Sequence, residues 1–189
     1  MRDPTERPLV DALRRGDPSA FDAVYARYRG RIYGFLLRLC RRSDVAEDLF
    51  QETFLKLARN APRLAEDTDL AAWLFTVARN AWVSHRRWSM LDLSRLVAID
   101  DDALPPPSAG DPDARADAAR AMEKLERALE ALPPASREVL LLVGVEGFDQ
   151  EKVAEMLGIK YDALRQRLAR ARAQLAEKLA MVESKEVLA

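Results

Sequence analysis

The sequence predicts an all-α protein of two small helical domains joined by a flexible acidic linker, the second domain holding a helix-turn-helix. Glycine is scarce, at 7 of 189 residues, and the chain is rich in Ala, Leu, Arg and Glu, whose side chains lose little rotamer freedom in a helix. Apolar residues recur at helical spacing in several segments, and no segment alternates as a strand would. Between them, residues 100–117 hold three consecutive prolines and six Asp against one Arg, which cannot bury a core. We therefore predict domains at 8–92 and 119–182 and a linker over 93–118.

The N-terminal domain begins with helices whose starts are marked by aspartates. Asp17 can cap a long helix whose first position is a proline. Asp44 can cap the next helix, and Glu47 three residues later completes a capping box. A loop is predicted over residues 60–69, followed by a third helix from about Leu70 to Trp88.

The C-terminal domain ends in the strongest local pattern of the chain, GFDQEKVAEMLGIKYDALRQRLARARAQL at 147–175. Before it, helical spacing runs to Leu132, two prolines interrupt it, and a further helix is predicted over 136–145. Asp149 can then cap a short helix that Gly158 ends in the left-handed conformation. A short helix, a turn with glycine and a second, long helix make a helix-turn-helix unit.

Charge is segregated along the chain although the formal net charge is only −1. Residues 44–52 carry four acids and no base, whereas residues 160–178 carry six bases against two acids. Any nucleic-acid contact must therefore be local. One Cys and one His are too few for a disulfide, a His-based metal site or a histidine-containing triad, so we predict no metal, no cofactor and no catalytic residue. The lone cysteine, with no signal-peptide or transmembrane pattern, predicts a cytoplasmic protein.

The second helix of the helix-turn-helix is predicted to read duplex DNA. Its apolar stripe must pack on the preceding helices, which leaves the opposite side free for DNA. Arg165 and Gln166 are the predicted base readers, because Arg can bond guanine and Gln can bond adenine through paired hydrogen bonds. The other basic side chains are predicted to hold phosphates, although Lys160 stands where a capping Ser or Thr would be expected. The predicted DNA-contacting residues are Lys160, Tyr161, Asp162, Arg165, Gln166, Arg167, Arg170 and Arg172. The alternative is a basic helix that is merely solvated.

Three segments together resemble the extracytoplasmic-function group of bacterial sigma factors. They are DVAEDLFQETFLKL at 44–57, WLFTVARNAWVSHRR at 73–87 and the C-terminal segment at 147–175, in the family's order and spacing. The resemblance implies that the first segment docks on the clamp helices of the largest RNA polymerase subunit. Independently, three acids spaced by four give a ridge that suits a basic protein partner and repels DNA phosphate. The predicted polymerase-binding residues are Asp44, Glu47, Asp48, Gln51, Glu52 and Lys56.

The resemblance also implies that the helix at 70–88 melts the promoter −10 element, while the C-terminal helix-turn-helix binds the −35 element. The loop Pro62–Thr68 would hold a base flipped from the stack. The predicted −10 residues are Arg79, Asn80, Trp82, Arg86, Arg87 and Trp88. Trp82 is the predicted stacking residue because it lies nearer the edge of the apolar stripe, whereas Trp88 is left open between core and DNA. Ser84 and Arg86 depart from the family pattern, which commonly has Asp and an apolar residue there.

The partners implied by the resemblance are core RNA polymerase, promoter DNA and an anti-sigma protein, with no membrane insertion. The acidic linker would thread the polymerase channel that later holds RNA, or it would be an inert spacer. The closest rival is a helix-turn-helix regulator with a helical sensor or dimerisation domain, which would bind DNA without polymerase and needs no acidic ridge. A helical enzyme is disfavoured because acid/base, metal and phosphate-binding patterns are missing. A purely protein-binding decoy would leave the basic helix unexplained.

Overall fold

The computed structural model describes residues 6–91 and 112–187, with side chains for residues 6–89 and 119–182. The described residues contain no strand, as the all-α prediction requires. Their helices are α1 (Glu6–Arg14), α2 (Pro18–Cys40), α3 (Ser43–Asn60), α4 (Leu70–Leu91), α5 (Pro112–Glu130), α6 (Pro134–Leu140), α7 (Gln150–Leu157) and α8 (Tyr161–Val187). A 3-10 turn, Ala61–Arg63, follows α3, and a π-helical turn, Leu141–Val145, follows α6.

The chain divides at Asp100 into two compact units, with α1–α4 in the first and α5–α8 in the second. Helix α5 begins at Pro112, so its first residues, 112–118, overlap the end of the predicted linker. The sequence there, PDARADA, combines a proline that is tolerated in a first helical turn with good helix formers, and these outweigh the aspartates. The rest of the predicted linker, 93–111, lies outside the described residues.

The N-terminal unit packs α2, α3 and α4 against one another, with α1 resting on α2 and on the 3-10 turn. Its largest fully buried side chains include Tyr28, Ile32, Phe35, Leu57 and Phe75. The predicted start of α2 is confirmed, since the Asp17 side chain accepts a hydrogen bond from the Ser19 N–H at 2.9 Å. Hydrogen bonds from the Ser19 hydroxyl and amide hold the pKa of Asp17 below its usual range. Helix α1 was not predicted.

The predicted start of α3 is wrong. The helix begins at Ser43, one residue earlier, and its N-cap is Arg42, whose side chain makes no capping hydrogen bond. Asp44 therefore lies in the first helical turn, where its negative charge interacts favourably with the positive end of the helix dipole. The Arg42 guanidinium donates two hydrogen bonds to the Asp44 carboxylate, and chiefly for this reason the pKa of Asp44 is lowered.

The C-terminal unit packs α5, α6 and α7 on α8. Its fully buried apolar side chains include Val139, Leu142 and Leu164. The predicted helix over 136–145 is observed as two pieces, because α6 begins at Pro134 and changes at Leu141 into the π-helical turn. Pro134 occupies the first turn of α6, where its missing N–H has no helical partner to lose.

Candidate functional site

The acidic face of α3 is formed by Asp44, Glu47, Asp48, Gln51, Glu52 and Lys56, the residues predicted to bind polymerase. All six lie at the surface, five of them exposed and Lys56 partly buried. The Lys56 ammonium lies 2.6 Å from a Glu52 carboxylate oxygen, so this pair is satisfied within the helix. The opposite side, predicted to be buried, includes Leu49, Thr53 and Leu57, all of which are buried.

Aromatic contacts fix α3 on α2 and so set the direction of the acidic face. The ring of Tyr25 in α2 lies 4.9 Å from that of Phe54 and 5.9 Å from that of Phe50, measured between centroids, with edge-on geometry. Such pairs contribute about 0.5–1.5 kcal/mol each beyond the area they bury. The acidic face is therefore presented by a helix that aromatic contacts hold on α2.

Leu55 is an apolar residue on the acidic face that the sequence reasoning did not include. It is 55% exposed and lies three residues after Glu52 and four after Gln51, which places all three side chains on one side of α3. A single exposed leucine is common on protein surfaces. Its position among acids nevertheless gives this face the mixture of apolar and charged groups found in protein interfaces.

The open face of α4 consists of Asn80, Ser84, Arg87 and Trp88, which lie at the surface of the helix. Their spacing of four, three and one residues puts them on one side of the helix. Trp88 is 74% exposed, so its indole is available to a partner. Of the predicted −10 residues outside this face, Arg79 is partly buried and donates to the Asn80 side-chain oxygen at 3.1 Å.

Trp82 does not offer the stacking surface that was predicted for it. Its side chain is only 5% exposed, and the guanidinium of Arg86 covers its ring at 5.0 Å from the centroid. Trp82 continues the stripe of Ala78 and Ala81, both buried, and so belongs to the core of the unit. The predicted exposure of Trp82 is therefore wrong, and Trp88, which the sequence left open between core and DNA, is exposed.

The loop before α4 lies against α1. Pro62 and Glu66, both in the predicted base-holding loop, line an open cleft of about 450 Å³ together with Asp11, Arg14 and Arg15 of α1. The loop ends at Asp69, whose side chain accepts from the Ala72 N–H at 2.8 Å and so caps α4.

The helix-turn-helix is formed as predicted. The Asp149 carboxylate accepts a hydrogen bond from the Lys152 N–H at 2.7 Å and caps α7. Gly158, at φ 64°, ends that helix in the left-handed conformation, which a residue with a Cβ adopts at a steric cost. After Ile159, the Lys160 carbonyl accepts from the Leu164 N–H at 3.0 Å, so the backbone of Lys160 starts α8 without a side-chain cap of the Ser or Thr type.

The exposed face of α8 lies opposite the buried stripe of Leu164, Leu168 and Ala171. It comprises Lys160, Tyr161, Asp162, Arg165, Gln166, Arg170 and Arg172, whereas Arg167 is partly buried. The Arg165 guanidinium lies 6.0 Å from the centre of the Tyr161 ring, and Arg170 Nε donates to the Gln166 carbonyl at 3.3 Å. These contacts orient two arginines on the first turns of the helix.

Arg137 of α6 binds the C-terminal end of α5, and the sequence reasoning missed it. It is 4% exposed, and its guanidinium donates to backbone carbonyls at the end of α5. The neighbouring Ser136 hydroxyl donates to the Gln174 side-chain oxygen of α8 at 2.7 Å. In sequence, Arg137 resembles any surface arginine, and no local pattern indicates its burial.

Within the described ranges, no group of His, Cys, Asp and Glu is arranged to hold a metal ion. Among the helices described, none is long and apolar enough to cross a membrane. What the two units offer is therefore a set of polar surfaces: the acidic face of α3, the open face of α4 and the exposed face of α8.

Comparison with protein-family models matches both units. Residues 24–89 match sigma-70 region 2, and residues 122–175 match sigma-70 region 4. The first match contains α3 and most of α4, and the second contains α7 and α8 as far as residue 175.

Relatives over most of the chain carry the same description. RNA polymerase sigma factor CarQ of Myxococcus xanthus is 34% identical over 92% of this chain and 97% of its own length. ECF RNA polymerase sigma factor EcfG of Rhodopseudomonas palustris is 32% identical over 89% of this chain and 85% of its own. Among solved structures, sigma factor RpoE from Bartonella quintana, in complex with the anti-sigma factor NepR, is similar with a TM-score of 0.71 and 28% identity, covering 85% of this chain and 96% of that one. CnrH, in complex with the cytosolic domain of CnrY, has a TM-score of 0.64 and 25% identity, covering 94% and 97%.

Proposed function

Since this chain belongs to the extracytoplasmic-function group of the sigma-70 family, we propose that its three polar surfaces bind core polymerase, the melted −10 element and the −35 duplex. The chain is a sigma factor that directs RNA polymerase to promoters. The family is one of non-enzymatic initiation factors, and we assign no catalytic residue to this chain. The observation that supports separate surfaces for polymerase and duplex DNA is an acidic helix face in one unit and an arginine-rich helix-turn-helix face in the other.

The acidic face of α3 is the surface for the clamp helices of the largest polymerase subunit. An acidic surface attracts a basic protein partner and disfavours the phosphate backbone of DNA, so the same face does not serve both. Leu55 supplies the apolar contact in its middle, where burial from water contributes more than rim charges do. A DNA-binding regulator that acts without polymerase has no use for such a face.

The exposed face of α8 is the surface for the −35 duplex. A recognition helix reaches base edges with its first turns, and here those turns carry Arg165 and Gln166. Lys160, Arg170 and Arg172 hold phosphates on either side and fix the register. The aromatic ring of Tyr161 restrains Arg165, so less side-chain entropy is lost when it binds.

The open face of α4 is the surface for the single-stranded −10 element. Trp88 takes the stacking role that sequence reasoning gave to Trp82, because a base can stack only on an exposed ring. Arg87 lies beside it for the backbone phosphate, and Asn80 supplies an amide. The packed pair of Arg86 and Trp82 supports the face from within.

An anti-sigma protein is the expected regulatory partner. The solved complexes of RpoE with NepR and of CnrH with CnrY each pair a sigma factor with such a protein or, in CnrH, with a cytosolic domain of its partner. A partner that covers the acidic face of α3 would exclude polymerase, because both need the same exposed residues. Leu55 is then a contact for either partner.

Run-off transcription with core polymerase on a library of genomic promoter fragments tests the function. Asp48→Lys with Glu52→Lys is expected to reduce run-off transcript about tenfold or more, because like charges opposed across an interface cost several kcal/mol. The fold should survive, since both sites are exposed and a positive charge at position 52 repels Lys56 by only about 0.2–0.5 kcal/mol.

A charge-matched control is Glu123→Lys with Glu177→Lys, which makes the same change in net charge at exposed sites of the C-terminal unit. We expect it to transcribe like the unaltered chain. If the α3 double variant still co-purifies with core polymerase and transcribes normally, the docking assignment is wrong. If the unaltered chain drives no promoter-specific transcript, the whole assignment falls.

A further inference from the structure

Helix α1 lies outside the segment that matches sigma-70 region 2, which starts at residue 24. It is nevertheless part of the N-terminal unit, because Val10 and Leu13 are fully or almost fully buried. Its neighbours are α2 and the 3-10 turn Ala61–Arg63, which begins the loop before α4. A short helix is thus packed directly against the start of that loop.

Glu6, at the first turn of α1, binds the far end of the same loop. One carboxylate oxygen accepts from the Leu70 N–H, the first residue of α4, at 3.3 Å, and the other accepts from the Tyr28 hydroxyl. Glu6 is 9% exposed, and its carboxylate supplies an acceptor to an N–H that has no partner within its helix. Burial, followed by the hydrogen bond to Glu6, raises the pKa of Tyr28, so its hydroxyl keeps donating at any physiological pH.

Arg14, at the last turn of α1, binds the middle of the loop. Its Nη1 lies 3.0 Å from a carboxylate oxygen of Glu66 and 3.9 Å from one of Asp11. Its Nε is buried without a hydrogen-bond partner among the described residues, which leaves the guanidinium oriented by the Glu66 contact. Both side chains are partly solvated, and ion pairs of that kind add little to global stability.

The two polar contacts have one thing in common. Both end on the segment 66–70, although Glu6 also accepts from the Tyr28 hydroxyl of α2. A pair too weak to matter for the stability of the unit can still select one conformation of a loop, because alternative loop conformations differ by small free energies. The loop they restrain lies immediately before α4.

We propose that Glu6 and Arg14 are positioning residues that hold the loop at 64–69 in the conformation in which it receives the displaced base of the −10 element. This rests on the proposed function, in which α4 binds the melted −10 element, and on the expectation that the loop before α4 holds the displaced base. α1 then contributes to promoter discrimination without itself contacting DNA.

The test is a charge exchange between the two partners. Holoenzymes carrying Arg14→Glu, Glu66→Arg or both changes are compared by fluorescence anisotropy on single-stranded −10 oligonucleotides with each of the four bases in turn at each position. Either single change is expected to reduce the preference at the displaced position about threefold to fivefold, the upper range for an exposed ion pair. The double change should restore the preference to within about twofold, because the pair is re-formed with its charges exchanged.

Val10→Ala is the matched control, since it removes buried apolar contact from α1 but leaves both polar contacts in place. It should lower the thermal midpoint of the N-terminal unit and leave base preference unchanged. The single charge variants should instead leave the thermal midpoint almost unchanged and reduce base preference. If the unaltered holoenzyme discriminates bases and both single variants discriminate equally well, the positioning role is refuted while the proposed function stands. If the unaltered holoenzyme shows no base preference at any position, the −10 assignment fails and the positioning role fails with it.

Discussion

The side chain of Arg137 connects α6 to the end of α5 and gives the clearest stability prediction for the C-terminal unit. Its Nε donates to the Leu129 carbonyl at 2.9 Å. Its Nη2 donates to the carbonyls of Glu130 at 2.6 Å and Leu132 at 3.0 Å. Carbonyls in the last turn of a helix have no intrahelical donor, so this guanidinium acts as a C-terminal cap supplied by another helix.

The expected cost of Arg137→Met follows from which carbonyls can reach water. Leu132 is buried, so its carbonyl loses its donor without replacement, at about 1–3 kcal/mol. The Leu129 carbonyl keeps a second donor, the Leu132 N–H at 3.1 Å, and Glu130 is partly exposed and can bond to solvent. The thioether retains apolar contact and no charge has to be buried, which limits further loss. We therefore expect the C-terminal unit to lose about 1–3 kcal/mol.

Tryptophan placement allows the two units to be followed separately in the full chain. All three tryptophans belong to α4, in the N-terminal unit, so their fluorescence in urea follows that unit. Hydrogen exchange of α8 amides follows the unfolding of the C-terminal unit. Arg137→Met should leave the fluorescence transition in place and speed α8 exchange by roughly 5- to 150-fold, the equivalent of about 1–3 kcal/mol.

Arg127→Met is the control for this experiment. Arg127 is an exposed arginine of α5 whose ion partner, Glu123, lies one turn earlier at 2.5 Å. Loss of such a pair costs about 0.3–0.5 kcal/mol. If Arg137→Met changes α8 exchange no more than Arg127→Met does, the capping role is wrong. A shift of the fluorescence transition would mean that Arg137 acts on more than its own unit.

Two further predictions concern the DNA surfaces. Arg165→Ala should cost about 1–3 kcal/mol of binding free energy at one base pair of the −35 duplex and little elsewhere, measured by competition among promoter variants. Arg172→Ala is expected to weaken binding equally for all sequences. If Arg165→Ala does the same, Arg165 is a phosphate contact only. Trp88→Ala should leave thermal stability almost unchanged but weaken stacking by about 1–3 kcal/mol and slow promoter opening, followed by permanganate reactivity of the melted strand. Trp82→Ala should instead destabilise the unit by about 3–5 kcal/mol, and normal opening by Trp88→Ala would exclude the stacking role.

Features set by neighbouring residues were predictable from the sequence. The caps at Asp17 and Asp149 and the left-handed Gly158 each depend on a few consecutive residues, and all three are observed. The buried side of α8 also follows the helical period over several turns. Local rules succeed in these places because the partner of each group lies within four residues of it.

Features set by distant partners were not predictable in the same way. Glu6 binds the amide of Leu70, 64 residues away, and Arg137 binds carbonyls of another helix. Nothing in the local composition distinguishes these charged residues from solvated ones. Helix α1 went unpredicted for a similar reason, since a helix of nine residues is stable only through its packing.

The wrong expectation for Trp82, and the open question at Trp88, have a different cause. Helical periodicity shows which side of a helix is apolar, but it does not show where the neighbouring helices end. Trp82 lies within the packed length of α4 and Trp88 lies near its C-terminal end, where the ring is 74% exposed. An aromatic residue near the end of a helix is therefore ambiguous in sequence, and only the tertiary packing decides whether it is core or surface.

The near-neutral charge of the chain bears on how its surfaces work together. A protein that bound promoters alone would need many phosphate contacts, because each phosphate neutralised releases counterions and raises affinity. The exposed face of α8 offers four basic side chains, and the open face of α4 offers Arg87. Neither is large enough to hold duplex DNA strongly by itself, and the acidic face of α3 opposes non-specific binding. We therefore expect base reading by this chain to depend on polymerase, which would join both DNA surfaces in one complex.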